Sequence, residues 1–459
     1  MKKTSSVFYS VVGLFFFWGF VAASNDVLIP IFKDHLHIEQ WQSQMISFVF
    51  YFAYTIGSIL YLLISFYLKN DLLQVTGYSK GLSIGLLISF IGSLLFIPAA
   101  QSSSFVALIT GLFIIGLGFS LQQTAANPIV INAGDVSFGS QRLSLAGGIN
   151  NIGTTIGPLI VSYAVFKNST QLSSIEHLMY PYLILGAMFI IIAVIFFFQK
   201  MKFDFNAETQ SIQQFSEITS LIKQPQVWMG MLAIFTYVGV EVSTAANFAE
   251  FAKQKANIST SEVAPYISLY WGCLMIGRWA SAADIFAESK WKKSLLKIIF
   301  PLLAYSLINI ILLINHKSIP NIEWMLVYIV VMIILDYLSK GDAARQLTYY
   351  SIAGFTLIGL GIITQSTFSI FNILAVGLFC STLWPCIFEI ALYKMGKNTG
   401  IVSSLLIMMI MGGGWISVFQ AYLSKPFGIN LSYVVGMLCF AYLCVYGIVA
   451  NKKKQLINA

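Results

Sequence analysis

Charge is scarce in this chain. Of its 459 residues, 26 are basic and 18 acidic, 10% in all, whereas a soluble globular domain carries about 25%. A water-facing surface over this length cannot be built from so few charges, so a soluble fold is excluded. Histidine is rarer still, at four residues. The five cysteines, Cys273, Cys380, Cys386, Cys439 and Cys444, lie in apolar stretches with no CxxC spacing and no Cys/His cluster. They read as small apolar side chains rather than as disulfides or metal ligands. HExxH, GxSxG and kinase-like patterns are missing. The glycine groups, such as Gly147, Gly148 and Gly153, are followed by no GKS/T, so none is a phosphate loop. Neither an enzyme nor a resident cofactor is expected.

What the sequence has is apolar length. Hydrophobic residues make up 58% of it, in runs of roughly 18 to 25, the length a helix needs to cross a bilayer. The chain therefore reads as an all-α polytopic membrane protein. Six spans are expected at 8–32, 42–68, 80–100, 104–132, 142–166 and 178–199. Eight more follow at 227–252, 262–286, 293–314, 322–339, 346–364, 369–393, 400–421 and 431–450, about fourteen in total. The stretch between the sets, 201–226, is the one long hydrophilic connection and reads as a linker joining an N-terminal bundle (1–200) to a C-terminal one (227–459). Lys2, Lys3 and Val21-Ala22-Ala23-Ser24 imitate a cleavable leader, but the apolar run continues through Asn25-Asp26 to Pro30 and is kept as the first span.

Basic residues test this threading. With the N-terminus inside, twenty of the 26 fall on the cytoplasmic side, a bias that puts both termini in the cytoplasm. The net charge of +8 then reflects orientation in a membrane rather than nucleic-acid binding. Removing one span would spoil the bias, whereas removing the pair 293–339 would not.

Ionisable groups in hydrocarbon are expensive, so buried carboxylates are the first candidates for function. Asp26 in the first span and Glu241 in the seventh are the two expected to bind and release a proton or a cation. Asp336 and Glu389, near span ends, read better as structural pairs. A second set is neutral: Gln122, Gln123, Asn127, Asn132, Asn150, Asn151 and Asn247 interrupt apolar helices. Gln123 and Asn127 are four apart and share a helix face, where paired amides suit sugar hydroxyls. The plainer alternative is amide bonding between helices. Asn25, beside Asp26, joins the cluster. Among the aromatic residues, Trp18, Tyr237 and Trp384, the last next to Pro385, lie closest to these polar positions and could pack on the apolar face of a pyranose.

The segments Phe15-Phe-Phe-Trp-Gly-Phe, Ser24-Asn-Asp-Val-Leu-Ile-Pro30 and Leu121-Gln-Gln-Thr-Ala-Ala-Asn-Pro128 resemble the fucose-galactose-glucose:proton symporter family of the major facilitator superfamily. Tyr237-Val-Gly-Val-Glu-Val242, Gly277-Arg278 and Leu383-Trp-Pro-Cys-Ile-Phe388 extend the likeness into the second half. The resemblance implies two six-helix bundles related as parallel repeats, with a midplane site open alternately to each side. It also implies monosaccharide import driven by protons through the inner membrane. Asp26 matches a coupling carboxylate of the fucose branch, which has a glutamate where this chain has Gln123. Gln123 cannot titrate, and Glu241 is the nearest replacement. Gly147 stands where the fucose permease has a sugar-binding glutamine, so a glucose/galactose-like hexose is favoured over fucose. The segment around 290–340 departs from the family and reads as an inserted helix hairpin.

The expected function is thus proton-coupled uptake of a neutral monosaccharide by a monomer in the lipid bilayer. The expected site comprises Asn25, Gln123, Asn127, Asn150, Trp18, Tyr237, Asn247 and Trp384, with Asp26 and Glu241 as proton carriers. Sodium-coupled or uncoupled sugar transport is the first rival. A membrane-embedded enzyme on lipid-linked sugars and a multidrug exporter are the others.

Overall fold

The bilayer offers backbone N–H and C=O groups no partner, so an apolar run satisfies them internally by coiling into a helix. A computed structural model shows this through the residues it describes. It describes residues 10–24, 38–68, 72–102, 104–132, 139–166, 176–199, 220–283, 289–393, 395 and 399–458. Among these residues the regular structure is helical. The first group is α1 (Ser10–Ser24), α2 (Met45–Tyr67), α3 (Tyr78–Leu94), α4 (Phe105–Asn132), α5 (Gly139–Phe166) and α6 (Glu176–Phe198). After the expected linker, most of which lies outside the described residues, come α7 (Pro225–Ala246) and α8 (Ala264–Ala282). Next are α9 (Lys290–Ile314), α10 (Met325–Ser339) and α11 (Ala343–Ile363). Finally come α12 (Ser366–Cys380), α13 (Leu383–Leu392), α14 (Thr399–Met408), α15 (Gly412–Ser432) and α16 (Val434–Asn458).

Ten helical stretches among the described residues are long and apolar enough to cross a membrane, fewer than the fourteen expected, and Ser10–Ser24 and Leu183–Phe198 are apolar but shorter.

Within the first group, α3 packs on α4 and α6, and α2 on α4. Glycine permits these approaches: a Cβ on Gly118 would overlap the Gly85 carbonyl oxygen. In the second group α7 packs on α15 and α16, and α11 on α16. Two seams join the groups. One is α5 against α8, and the other is α2 against α15, where Phe48 meets Trp415 edge to face at 5.0 Å. Gln44 Nε2 donates to the Ala246 carbonyl at 2.9 Å near one end of that second seam, and Lys425 meets Glu39 beyond it at 3.2 Å.

The helices α9 and α10 coincide with the segment expected to be an insertion. Only 28% and 33% of their apolar windows are buried, against 67% for α7, so they lie on the outside of their group. Asp336 holds them there. Its Oδ2 accepts from Lys297 Nζ at 2.8 Å and its Oδ1 from Gln346 Nε2 at 3.1 Å, joining α9, α10 and α11. The chain reverses tightly at Lys340-Gly341, both with positive φ (53° and 69°). Asp342 then caps α11, accepting from the backbone N–H groups of Ala344 and Arg345.

Candidate functional site

The helix α7 presents Tyr237 and Glu241 one turn apart, so both side chains emerge from one face. Tyr237 is buried, while Glu241 is half-buried with an Oε2 atom sealed from solvent and lacking a hydrogen-bond partner. The tyrosine is the carboxyl group's side-chain neighbour on that helix. From α8, Tyr270 donates its hydroxyl to the Glu241 backbone carbonyl at 2.8 Å, and Arg278 lies within electrostatic reach of the carboxyl.

The third wall is a broken helix. The chain leaves α12 at Cys380, turns through Ser381 and Thr382 and resumes as α13 at Leu383, with Pro385 in the new first turn. Such a break frees backbone carbonyls at membrane depth, and they need donors. Arg278 Nε supplies one, donating to the Ser381 carbonyl at 3.3 Å. The break also aims Trp384 back across the site. Its ring lies 6.2 Å from that of Tyr237 and stacks on Phe388 at 4.8 Å. Trp384 is half-buried and able to offer an aromatic face.

Arg278 also reaches the first group, where its Nη1 donates to Asn151 Oδ1 on α5 at 3.1 Å. Asn151 is buried, and its Nδ2 has no partner. An unpaired amide donor therefore belongs to the residue bonded to the guanidinium, and an unpaired carboxyl oxygen to a group within its electrostatic reach.

In the first group, Gln123 donates to the Tyr54 hydroxyl at 3.0 Å. Asn150 Nδ2 donates to the Phe15 carbonyl at 2.8 Å, bonding α5 to α1. Trp18 is buried, and its indole N–H is taken by Gln122 Oε1 at 2.8 Å. Asn247 is fully buried, with its amide donating to the Ser243 carbonyl at 3.1 Å. Asn25 and Asp26 lie outside the described residues, and of Asn127 the backbone alone, within α4, is described.

The structure thus brings Tyr237, Glu241 and Trp384 together. It gives Trp18, Asn150 and Asn247 bonds within the helix packing, and it adds three residues the sequence did not single out for this site. Tyr54 was readable only as one aromatic in an apolar run. Asn151 was noted beside Asn150 but not separated from it. Arg278 stood only in the Gly277-Arg278 motif, and its partner, 127 positions away, had no local signal.

The sequence profile of the Major Facilitator Superfamily matches residues 8–334. A glucose/galactose transporter of Brucella abortus biovar 1 (strain 9-941) is 27% identical over 454 residues, covering 96% of this chain and 93% of the relative. The L-fucose-proton symporter of Escherichia coli (strain K12) is 25% identical over 468 residues, covering 96% and 92%. A crystal structure of the E. coli fucose:proton symporter agrees in fold with a TM-score of 0.67 at 22% identity, over 98% of this chain and 99% of that one.

Proposed function

The chain belongs to the Major Facilitator Superfamily, a family of transporters and not of enzymes, and from that premise we propose that it imports a neutral hexose together with a proton. One observation carries this reading. A half-buried carboxyl, Glu241, shares a site with an aromatic face, Trp384, at a broken helix beside the seam between the two helix groups. A carboxyl in hydrocarbon can take up a proton or accept sugar hydroxyls, and an aromatic face can cover the apolar side of a pyranose. The relatives named for glucose/galactose transport and for fucose-proton symport support the substrate class and the driving ion.

Counting α1, α5, α6 and α8 with the ten long apolar stretches gives fourteen crossings, two six-helix bundles plus the α9–α10 hairpin. An even insertion leaves every later segment with its polarity. Basic-residue bias supports both termini in the cytoplasm and the α2–α15 seam toward the outside, the bacterial relatives support the inner membrane, and a monomer is proposed. Asp26 is the proposed first proton carrier and Glu241 the second. Asn25, Gln123 and Asn127 are proposed sugar contacts from the first bundle.

Counterflow of labelled D-glucose in proteoliposomes, competed by D-galactose, L-fucose, D-mannose and N-acetylglucosamine, tests the substrate. Competition by glucose and galactose above the others is expected, and no exchange of any of the five sugars contradicts the proposal.

A further inference from the structure

We propose that Arg278 is a positioning residue that carries the ionisation state of Glu241 to the seam between the bundles, with Asn151 as its catch. The proposal deepens the proton-coupled reading above and rests on it. Three placements carry it. The guanidinium is bonded across the α5–α8 seam, at 3.1 Å to Asn151 Oδ1. The same side chain is bonded to the helix break, at 3.3 Å to the Ser381 carbonyl. Third, Glu241 lies within its electrostatic reach yet retains a buried Oε2 with no partner. Among the described residues no ion pair joins the two.

A guanidinium has five donors in a planar fork and cannot lose its charge, so its choice of partner depends on what surrounds it. Beside a neutral carboxylic acid it gains little from Glu241, and the amide oxygen of Asn151 is a good partner. That is the arrangement in the structure. When the O–H bond of Glu241 breaks and its proton passes to water, a bare carboxylate is left in a sealed position. An unpaired buried charge is costly, and a charge-assisted bond to a guanidinium is about twice as strong as a neutral one. Arg278 is then drawn toward Glu241 and away from Asn151, and the seam loses its polar catch.

The other titratable groups acting on Glu241 are Tyr237 on its own helix, Tyr270 on α8 and Cys380 at the end of α12. Tyrosine and cysteine side chains never carry positive charge, which leaves Arg278 as the cation able to respond among the described residues. Packing around the contact is close enough for the change to be felt. A Cβ on Gly148, about one turn before Asn151, would touch the indole of Trp279, the residue after Arg278, at 3.3 Å.

The test reads the seam without sugar. Spin labels at Leu145→Cys on α5 and Ser281→Cys on α8, with Cys444→Ser, report the distance between the helices in proteoliposomes by double electron–electron resonance. Mildly acidic buffer is expected to give the short distance and mildly alkaline buffer a longer one. Glu241→Gln is expected to stay short at both. Arg278→Gln, and independently Asn151→Ala, are expected to abolish the shift. A residue that merely braced the helix break would leave the pH response intact when replaced. Retention of the shift in Glu241→Gln, in Arg278→Gln or in Asn151→Ala, or its absence from the otherwise unaltered protein, overturns the proposal. If no hexose exchanges but the shift and its losses appear, the substrate reading fails and the catch stands.

Discussion

Glu241 is the side chain whose position costs the fold most without an obvious structural return. Its Oε2 is sealed and unpaired, where Asp336, the other buried carboxylate described, has Lys297 and Gln346. Glu241→Gln keeps the shape and removes the proton. Accumulation driven by a pH gradient should then disappear while counterflow persists, and accumulation equal to the unaltered protein's in the same vesicles would remove Glu241 from coupling. In the proposed reading Trp384 meets the sugar rather than the ion. Loss of its ring in Trp384→Ala should cost about 1 kcal/mol of contact, a roughly five-fold rise in KM, and Trp384→Phe should recover most of it. Glu241 was legible because a carboxyl group inside an apolar span is costly, and Tyr237 because it is an aromatic residue close to it. Trp384 was legible because Pro385 marks a break. Arg278 with Asn151, and Gln123 with Tyr54, were not legible, because each pair is set by how separate helices meet.

The hairpin α9–α10 shows how much an element's role depends on its edges. Its outer faces carry exposed Leu303, Leu313, Val327 and Ile334, and two polar ties join it to the bundle: the bonded group at Asp336, and Tyr328, whose hydroxyl donates to Asn372 Oδ1 on α12 at 2.9 Å. Asp336→Ala would take away the acceptor shared by Lys297 and Gln346, a loss of about 2–4 kcal/mol from two bonds to a carboxylate. A clear fall in melting temperature in detergent should follow, with hexose exchange by the surviving folded protein unchanged. An unaltered melting temperature would show that the packing on α8 and the Tyr328–Asn372 bond hold the hairpin without Asp336. The insertion was visible in sequence because two apolar runs could be removed without disturbing the charge bias, but its attachment depended on a contact 39 residues apart.

The α2–α15 seam has an exposed lock of another kind. Hydrogen bonds from Lys425 and from the Trp41 indole hold the Glu39 carboxyl below its ordinary range. A lowered carboxyl favours the joined state fully above the ordinary carboxylate pKa, and the benefit is lost as pH falls through the lowered value. Closure at this end should therefore be insensitive to pH near neutrality and weaken only in strong acid. Being exposed, it should also weaken with salt. Spin labels across α2 and α15 would check this, and a transition near neutrality would assign that closure to other groups.

At the scale of the molecule, two groups of helices meet along two seams, each with polar contacts that can be made and broken. The α5–α8 seam carries Arg278 and Asn151, Glu39 meets Lys425 beyond the α2–α15 seam, and beside it Gln44 bonds Ala246 at the end of α7. Alternating access needs such weak, discrete contacts, because packed interfaces switch between states rather than deform smoothly. The helical class and the order of most helices followed from apolar length alone. How the helices are arranged around the site did not, since every apolar face is equally content in lipid and only specific contacts choose among arrangements.

The central claim is that a proton moving inward carries a hexose with it. Its most direct measurement is uptake of labelled D-glucose and D-galactose into proteoliposomes under an imposed inward proton gradient, with and without a protonophore. The account expects accumulation above the external concentration that collapses when the protonophore is added. Accumulation that survives the protonophore and follows a sodium gradient, or sugar that only equilibrates under every gradient, would contradict it.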